Sequence, residues 1–245
     1  MNLIDCHCHF YNLQAHDLQE QLQKAQKVGI EYFLCSALGK QEYQWYRENV
    51  FPSMKWYAGI HPFYENSHET DLPQLEELCR GKEIIALGEI GLDGRNNDSQ
   101  WQQKILLQQL ELARDYDLPV IFHVVKNYYQ LYKILKKNFP KVRGFLHGFN
   151  SACEVAETFS QLELAFSVNA RQPQQDALEF IFKKGRLLLE TDAPYQQPYD
   201  SQADFHELAN LTHIAENIAE KLQVSVGKLV KMEYKNLQNY LGLKL

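Results

Sequence analysis

The sequence predicts an α/β fold, a (β/α)8 TIM-type barrel, from three observations. Eight short segments rich in apolar and β-branched residues alternate with eight segments of helical spacing. Several of the former are continuous apolar runs, as expected of strands buried on both faces of a parallel sheet. The length of 245 residues matches the roughly 250 residues that such a barrel occupies as one domain. A doubly wound open sheet is the other arrangement that this alternation allows. No internal repeat, charge block or linker-like composition interrupts residues 1–245, so the whole chain reads as a single domain.

Strands are expected over residues 3–9, 32–37, 55–60, 83–90, 118–124, 142–149, 162–168 and 186–190. Helices are expected over 17–28, 41–50, 72–80, 98–116, 128–138, 152–161, 174–184 and 204–221. The clearest is 98–116, where Trp101, Ile105, Leu106, Leu110 and Ala113 keep to one side while Gln103, Lys104, Gln108 and Glu111 hold the other. A closing helix is expected from Ser225, whose hydroxyl would cap it, to Tyr240 ahead of Gly242.

A chain that is 45% hydrophobic and 23% charged is neither collagen-like nor disordered. The net charge of −6 gives no global basic field, so a nucleic-acid partner would be held by a local site or by bound metal. The start, Met1-Asn2-Leu3-Ile4-Asp5-Cys6-His7, has no basic and apolar leader pattern, and no apolar run is long enough to span a membrane. Five cysteines, none in a Cys-x-x-Cys pair, read as reduced thiols. The expectation is a cytoplasmic protein with no membrane and no obligate protein partner.

A barrel of this kind carries its chemistry at the C-terminal ends of its strands. Asp5, His7 and His9 alternate along the first strand and should share the face toward the mouth, with Cys6 and Cys8 on the face toward the helices. The third strand ends in Gly59-Ile60-His61-Pro62 and the fourth runs into Gly88-Glu89-Ile90-Gly91-Leu92-Asp93. The fifth ends at His123, the sixth at His147, and the eighth runs into Glu190-Thr191-Asp192-Ala193-Pro194. Six of eight strands therefore finish in a histidine or carboxylate. Scattered core histidines would not keep that register, and the set reads as a constellation of metal-ligand types. His16, His68, His206 and His213 fall in helices or loops and suit surface or capping roles.

In order and spacing, these motifs resemble the TatD family of metal-dependent hydrolases and DNases, within the amidohydrolase-like barrels. The resemblance runs from Met1 to about Pro198 through His7-Cys8-His9, Gly59-Ile60-His61-Pro62, Gly88-Glu89-Ile90-Gly91-Leu92-Asp93, the run Leu118–His123, His147-Gly148-Phe149 and Glu190-Thr191-Asp192-Ala193-Pro194-Tyr195. It implies two divalent cations (Zn²⁺, Mg²⁺ or Mn²⁺), one held by His7, His9 and Asp192, the other by His123 and His147, with Glu89 bridging. Such an open histidine and carboxylate site suits catalysis rather than a structural zinc. Two ions about 3.5–4 Å apart would generate a hydroxide nucleophile and polarise the substrate oxygen. Asp192 would accept the proton of the attacking water. Asp5 and His61 would orient ligands or substrate, and Asp93 would brace the loop after the fourth strand.

Departures from the family pattern bear on the substrate. Family members commonly carry an arginine two residues after the fifth-strand histidine, where this chain has Val125 followed by Lys126; a lysine is a flexible point charge rather than a phosphate fork. The small residues usual after the sixth-strand motif are replaced by Asn150-Ser151-Ala152. Residues 187–220 hold no lysine or arginine but carry Glu190, Asp192, Asp200, Asp204, Glu207, Glu216 and Glu220. Beside the metals such a stretch would repel a phosphate backbone, unless it points away and cations come from Arg95, Lys126 or Arg171. Tyr57, Phe63, Tyr64, Phe149 and Tyr195 near strand ends could stack on bases or line a pocket. The resemblance implies a deoxyribonuclease acting on DNA or another phosphodiester. The alternatives are hydrolysis of a carbonyl ester, lactone or amide on the same barrel, and a barrel kept only for binding.

Overall fold

The computed structural model describes residues 2–198 and 202–244. Its strands are β1 (Leu3–Cys8), β2 (Ile30–Ala37), β3 (Met54–Ala58), β4 (Leu87–Asp93), β5 (Val120–Val125), β6 (Arg143–Leu146), β7 (Glu163–Val168) and β8 (Leu187–Leu189). Each runs parallel to the next, in the order β1 to β8. The segment after β8 returns to β1: the Asp192 N–H donates to the His7 carbonyl at 2.9 Å, and the His9 N–H donates to that of Ala193 at 2.8 Å. A doubly wound sheet would reverse its order at a switch point and leave two free edges. Sequential order with meeting ends is a (β/α)8 barrel, as the alternation predicts.

Period-two alternation fills it. Ile4, Leu34, Tyr57, Ile121, Phe145, Ala165 and Leu188 form one buried cluster with Ala86, which directly precedes β4. Their strand neighbours Leu3, Phe33, Val120, Phe122, Leu164, Phe166, Leu187 and Leu189 pack into a second, larger cluster beneath the helices. The helices are α1 (Phe10–Leu13), α2 (Leu18–Lys27), α3 (Lys40–Glu48), α4 (Leu72–Gly81), α5 (Ser99–Asp115), α6 (Tyr128–Asn138), α7 (Cys153–Phe159), α8 (Gln175–Lys183), α9 (Leu211–Lys221) and α10 (Val226–Asn236). No helix among the described residues is long and apolar enough to cross a membrane. After α10 a π-helical turn, Leu237–Leu241, brings Leu237 and Leu241 into the inner cluster, and the chain leaves it through Gly242 at φ +70°.

Helix α5 also positions the mouth. Asp98 caps it by accepting the Trp101 N–H at 2.9 Å. Two buried glutamines on its inner face then hold strand ends: Gln109 bonds the N–H and carbonyl of Ile60, and Gln102 those of Asp93. These two residues flank the turns that carry His61 and Arg95.

Three expectations are corrected. The fourth strand is displaced toward its C-terminus, Leu87–Asp93 rather than 83–90, so Glu89 lies inside the strand and Asp93 at its end. Residues 204–207 are not helical; a 3-10 turn, Leu208–Asn210, precedes α9. Ser225 does precede the closing helix, but its hydroxyl makes no capping hydrogen bond.

The seam between β8 and β1 is closed largely by side chains. Asp5 accepts the Thr191 N–H at 2.9 Å and the Thr191 hydroxyl at 2.6 Å. Glu233 of α10 accepts the Leu189 N–H at 2.8 Å and the Cys6 thiol at 3.4 Å. Both carboxyl groups are fully buried. Burial pushes Asp5 up to about 7 and Glu233 up to about 8, against the hydrogen bonds they accept. Folded protein therefore keeps the Glu233 proton up to about pH 8, whereas the unfolded chain releases it near 4.5. The stability associated with that proton is present below pH 4.5 and declines until pH 8 is passed. Glu233→Gln keeps an acceptor for Leu189 and does not titrate. Its stability relative to wild type should rise between pH 5.5 and pH 8.5 by on the order of 3 kcal/mol in urea unfolding; an equal difference at both pH values would refute this account of the seam.

Candidate active site

The first strand breaks the simple alternation. Its register with β2 shifts between Asp5 and Cys8. Cys6 consequently packs with the barrel-filling cluster, while Cys8 packs outside it with its sulfur 3.7 Å from that of Cys35. The two thiols do not share a face. Asp5 does not join His7 and His9 in the mouth either; it lies at the seam, where it also accepts the His7 N–H at 3.3 Å. It holds the backbone of one candidate ligand and the segment leading to another.

Glu89 enters through a second irregularity. The β4–β5 register gains a residue between Gly88 and Ile90, while Leu87, Ile90 and Leu92 keep to the outer cluster. Glycine makes this approach possible: a Cβ on Gly91 would sit 1.9 Å from the His123 carbonyl oxygen.

Around Glu89 two sets of donor atoms converge. In the first, His7 Nε2 and His9 Nε2 lie 3.2 Å apart, and both approach Asp192 Oδ1, at 3.2 and 3.1 Å. Glu89 Oε1 is 3.5 Å from the former nitrogen and 3.6 Å from the latter. Four ligands about 2.1 Å from a tetrahedral ion lie about 3.4 Å from one another, so this spacing fits a divalent cation. In the second set, His147 Nε2 lies 2.7 Å and His123 Nδ1 3.5 Å from Glu89 Oε2, with 3.0 Å between the nitrogens. The two oxygens of one carboxylate thus face two donor sets. The second has three protein donors and leaves room for water or substrate.

Partners behind these atoms set the tautomers. The Tyr57 hydroxyl hydrogen-bonds His7 Nδ1, leaving Nε2 for the centre. His123 Nε2 donates to Asp93 Oδ2 at 2.9 Å, leaving Nδ1 for the centre. Ser36 donates to Glu89 Oε1 at 3.1 Å. His61 is different. Its Nδ1 accepts the N–H groups of Phe63 and Tyr64, both at 2.9 Å, so its proton sits on Nε2, 3.8 Å from Glu89 Oε2. Burial and the neighbouring His123 push this imidazole well below its usual value, so it faces the site as a neutral donor rather than a ligand. Burial alone would raise Glu89, but the adjoining His147 and His7 and its hydrogen bonds hold it well below the carboxylate range. Asp192 is likewise held down, against burial, by His7 and His9.

The centre opens into a cavity of about 590 Å³ whose walls include His61, Phe63, Tyr64, Glu65, Arg95, Tyr195 and Gln196. Three of the five aromatics singled out from the sequence are there; Tyr57 and Phe149 are buried instead. Lys126 is exposed, leaves β5 in a left-handed turn (φ +61°) and does not line the cavity. Arg171 does not line it either; its Nε donates to the Gln197 carbonyl at 3.1 Å. The acidic stretch is mostly turned away or engaged. Glu190 is buried, accepting from the Gly148 N–H at 2.8 Å, from Asn169 at 3.1 Å and from the Ser167 hydroxyl. Glu207 pairs with Lys24 at 2.9 Å. Among the described residues of that stretch, Asp192, Tyr195 and Gln196 reach the cavity, and Asp200 lies outside the described residues. His206 is not at the surface: it is buried and its Nδ1 lies 3.1 Å from the Tyr195 carbonyl.

Sequence reasoning missed Tyr57, Ser36 and Glu190 as supports. Tyr57 and Ser36 sit at inward positions of β3 and β2, a signal that becomes specific only once neighbouring strands are in register.

A parallel barrel whose C-terminal mouth gathers imidazoles and carboxylates into open donor sets is the architecture of a metal-dependent hydrolase. The family described as TatD related DNase matches residues 4–242. The chain is 33% identical over 204 residues to the uncharacterized metal-dependent hydrolase YjjV of Escherichia coli K12, covering 78% of this chain and 79% of that protein. It is 29% identical over 223 residues to the 3'-5' ssDNA/RNA exonuclease TatD of Pantoea vagans, covering 84% and 85%. The crystal structure of the E. coli YjjV protein superposes with a TM-score of 0.87 at 28% identity, over 99% of this chain and 98% of that one. The protein belongs to the TatD family of metal-dependent hydrolases.

Because the Tyr57 hydroxyl fixes the His7 ring, Tyr57→Phe should weaken divalent-cation binding by roughly 10- to 100-fold in chelator competition. Unchanged affinity would show that His7 needs no such support.

Proposed function

We propose that this protein is a nuclease, a deoxyribonuclease that trims single strands or ends, working as one barrel domain with two divalent cations. His7, His9 and Asp192 would hold one, His123 and His147 the other, with Glu89 between them. The observation that carries this reading is the Glu89 carboxylate, whose two oxygens face separate donor sets in a cavity large enough for a nucleotide. The exonuclease named among its relatives supports the substrate class. Four imidazoles favour Zn²⁺ or Mn²⁺ over Mg²⁺, which prefers oxygen. The five free cysteines suit a reducing compartment such as the cytoplasm.

When bound, the cations supply Lewis-acid polarisation of a phosphoryl oxygen and acidify water. The chain's own groups do the rest. Asp192 accepts the proton of the water that attacks phosphorus, as the bond from phosphorus to the leaving oxygen breaks. His61 donates its Nε2–H to charge building on the phosphoryl oxygens, its orientation fixed beforehand by the Phe63 and Tyr64 N–H groups. Asp5 and Asp93 keep His7 and His123 in place.

Stripped protein should be inactive, and reloading with Mn²⁺ or Zn²⁺ should restore cleavage of single-stranded oligonucleotides and bis-p-nitrophenyl phosphate. Glu89→Ala should reduce it to background. Cleavage of carbonyl esters or lactones with no phosphodiester cut under any metal would overturn the reading. His61→Gln should lower kcat by roughly 10²- to 10³-fold with metal content unchanged; a loss of bound metal would instead make His61 a ligand.

A further inference from the structure

The cavity mouth poses an electrostatic problem. Glu65, Glu89 and Asp192 line it, and among its described lining residues the single lysine or arginine is Arg95. This residue comes from the loop after β4, whereas Lys126, at the end of β5, stays outside. Arg95 is held from two sides. Its Nε lies 2.9 and 3.1 Å from the two carboxylate oxygens of Asp93, and its Nη2 is 2.5 Å from Oδ2. Its guanidinium carbon lies 4.5 Å from the centroid of the Phe63 ring. Asp93 is in turn fully buried and fixed by the His123 imidazole and by Gln102 on its backbone. Half of the Arg95 side chain is nonetheless exposed (50%).

A guanidinium presents N–H donors along more than one edge. The edge formed by Nε and Nη2 is taken by Asp93, and Nη1 makes no hydrogen bond to the described residues. A mobile surface arginine would lose side-chain entropy on binding an anion. Here the carboxylate and the aromatic ring have already fixed the fork, so little is left to lose.

We propose that Arg95, clamped by Asp93 and stacked on Phe63, is the residue that recognises a phosphate of the substrate next to the one being cleaved. This rests on the nuclease reading and sharpens it: the site takes a chain with more than one phosphate in preference to an isolated phosphodiester. Arg95 supplies the anion contact that Lys126 is too remote to make, and Asp93 couples that contact to His123 through one shared oxygen, Oδ2. Arg95 is thus a specificity-determining residue.

Binding and cleavage test it together. A fluorescein-labelled single-stranded oligonucleotide is titrated into metal-free wild type, Arg95→Gln and Arg95→Lys by anisotropy at several salt concentrations, and KM and kcat are measured for the Mn²⁺-loaded proteins. Arg95→Gln should weaken oligonucleotide binding and raise KM by roughly 10- to 100-fold, with a smaller loss on bis-p-nitrophenyl phosphate. The slope of log affinity against log salt should shrink by about 0.7, the value of one phosphate contact to a single strand. Arg95→Lys should restore the salt slope but only part of the affinity.

Equal losses on both substrates, accompanied by loss of metal, would mean that Arg95 acts only as a prop for Asp93 and would overturn the proposal. Unchanged affinity and salt slope in an active Arg95→Gln would overturn it while leaving the nuclease reading intact. Arg95-dependent binding without cleavage under any metal would support the anion contact and remove the nuclease reading. Absence of binding to wild type would overturn both.

Discussion

The site depends on how the barrel closes. His7 and His9 lie at the start of the chain and Asp192 near residue 190, and they meet only because the segment after β8 hydrogen-bonds to β1. Thr191 is gripped by Asp5, and Leu189 by Glu233. These buried carboxyl groups replace ladder bonds at the seam, so the position of three candidate ligands rests on groups that burial keeps near neutrality. Desolvation makes an ionised carboxylate costly there, and the hydrogen bonds each carboxyl accepts from its neighbours compensate in part.

From that seam inward, each reactive atom is oriented by a partner that never touches substrate. Tyr57 turns His7, Asp93 turns His123, Ser36 and the imidazoles fix Glu89, and two backbone N–H groups turn His61. The consequence differs with the partner. A hydroxyl or carboxylate on the far nitrogen frees the near one as a ligand, whereas backbone N–H groups on Nδ1 of His61 put the proton on Nε2. One histidine of the mouth is thereby separated from the others in role by its hydrogen bonds alone.

An acidic chain handling an acidic substrate would be self-defeating if its net charge reflected its mouth. It does not. Glu190 is consumed in a buried network and Glu207 in an ion pair with Lys24, while Arg95 is brought to the cavity by a turn anchored through Gln102. Local placement outweighs net charge, because exposed charges more than a Debye length away are screened.

Much of this was legible in the sequence. Runs of buried strand residues and helical spacing gave the barrel, and chemistry-bearing residues at six strand ends gave His7, His9, Glu89, His123, His147 and Asp192, since side-chain direction in a regular strand is a matter of counting. Counting failed where the backbone was irregular. The register shift after Asp5 sent Cys6 inward and Asp5 to the seam, and the extra residue at Glu89 moved β4. It also failed where roles depend on contacts between distant segments: Tyr57 on His7, Arg95 on Phe63, Lys126 turned out of the cavity. The sequence by itself determined the fold class and the identities of the donor atoms, which follow from local period and residue chemistry. Only the tertiary structure decided tautomers, orientation and the charge of the mouth, because these arise from hydrogen bonds and burial between residues far apart in the chain.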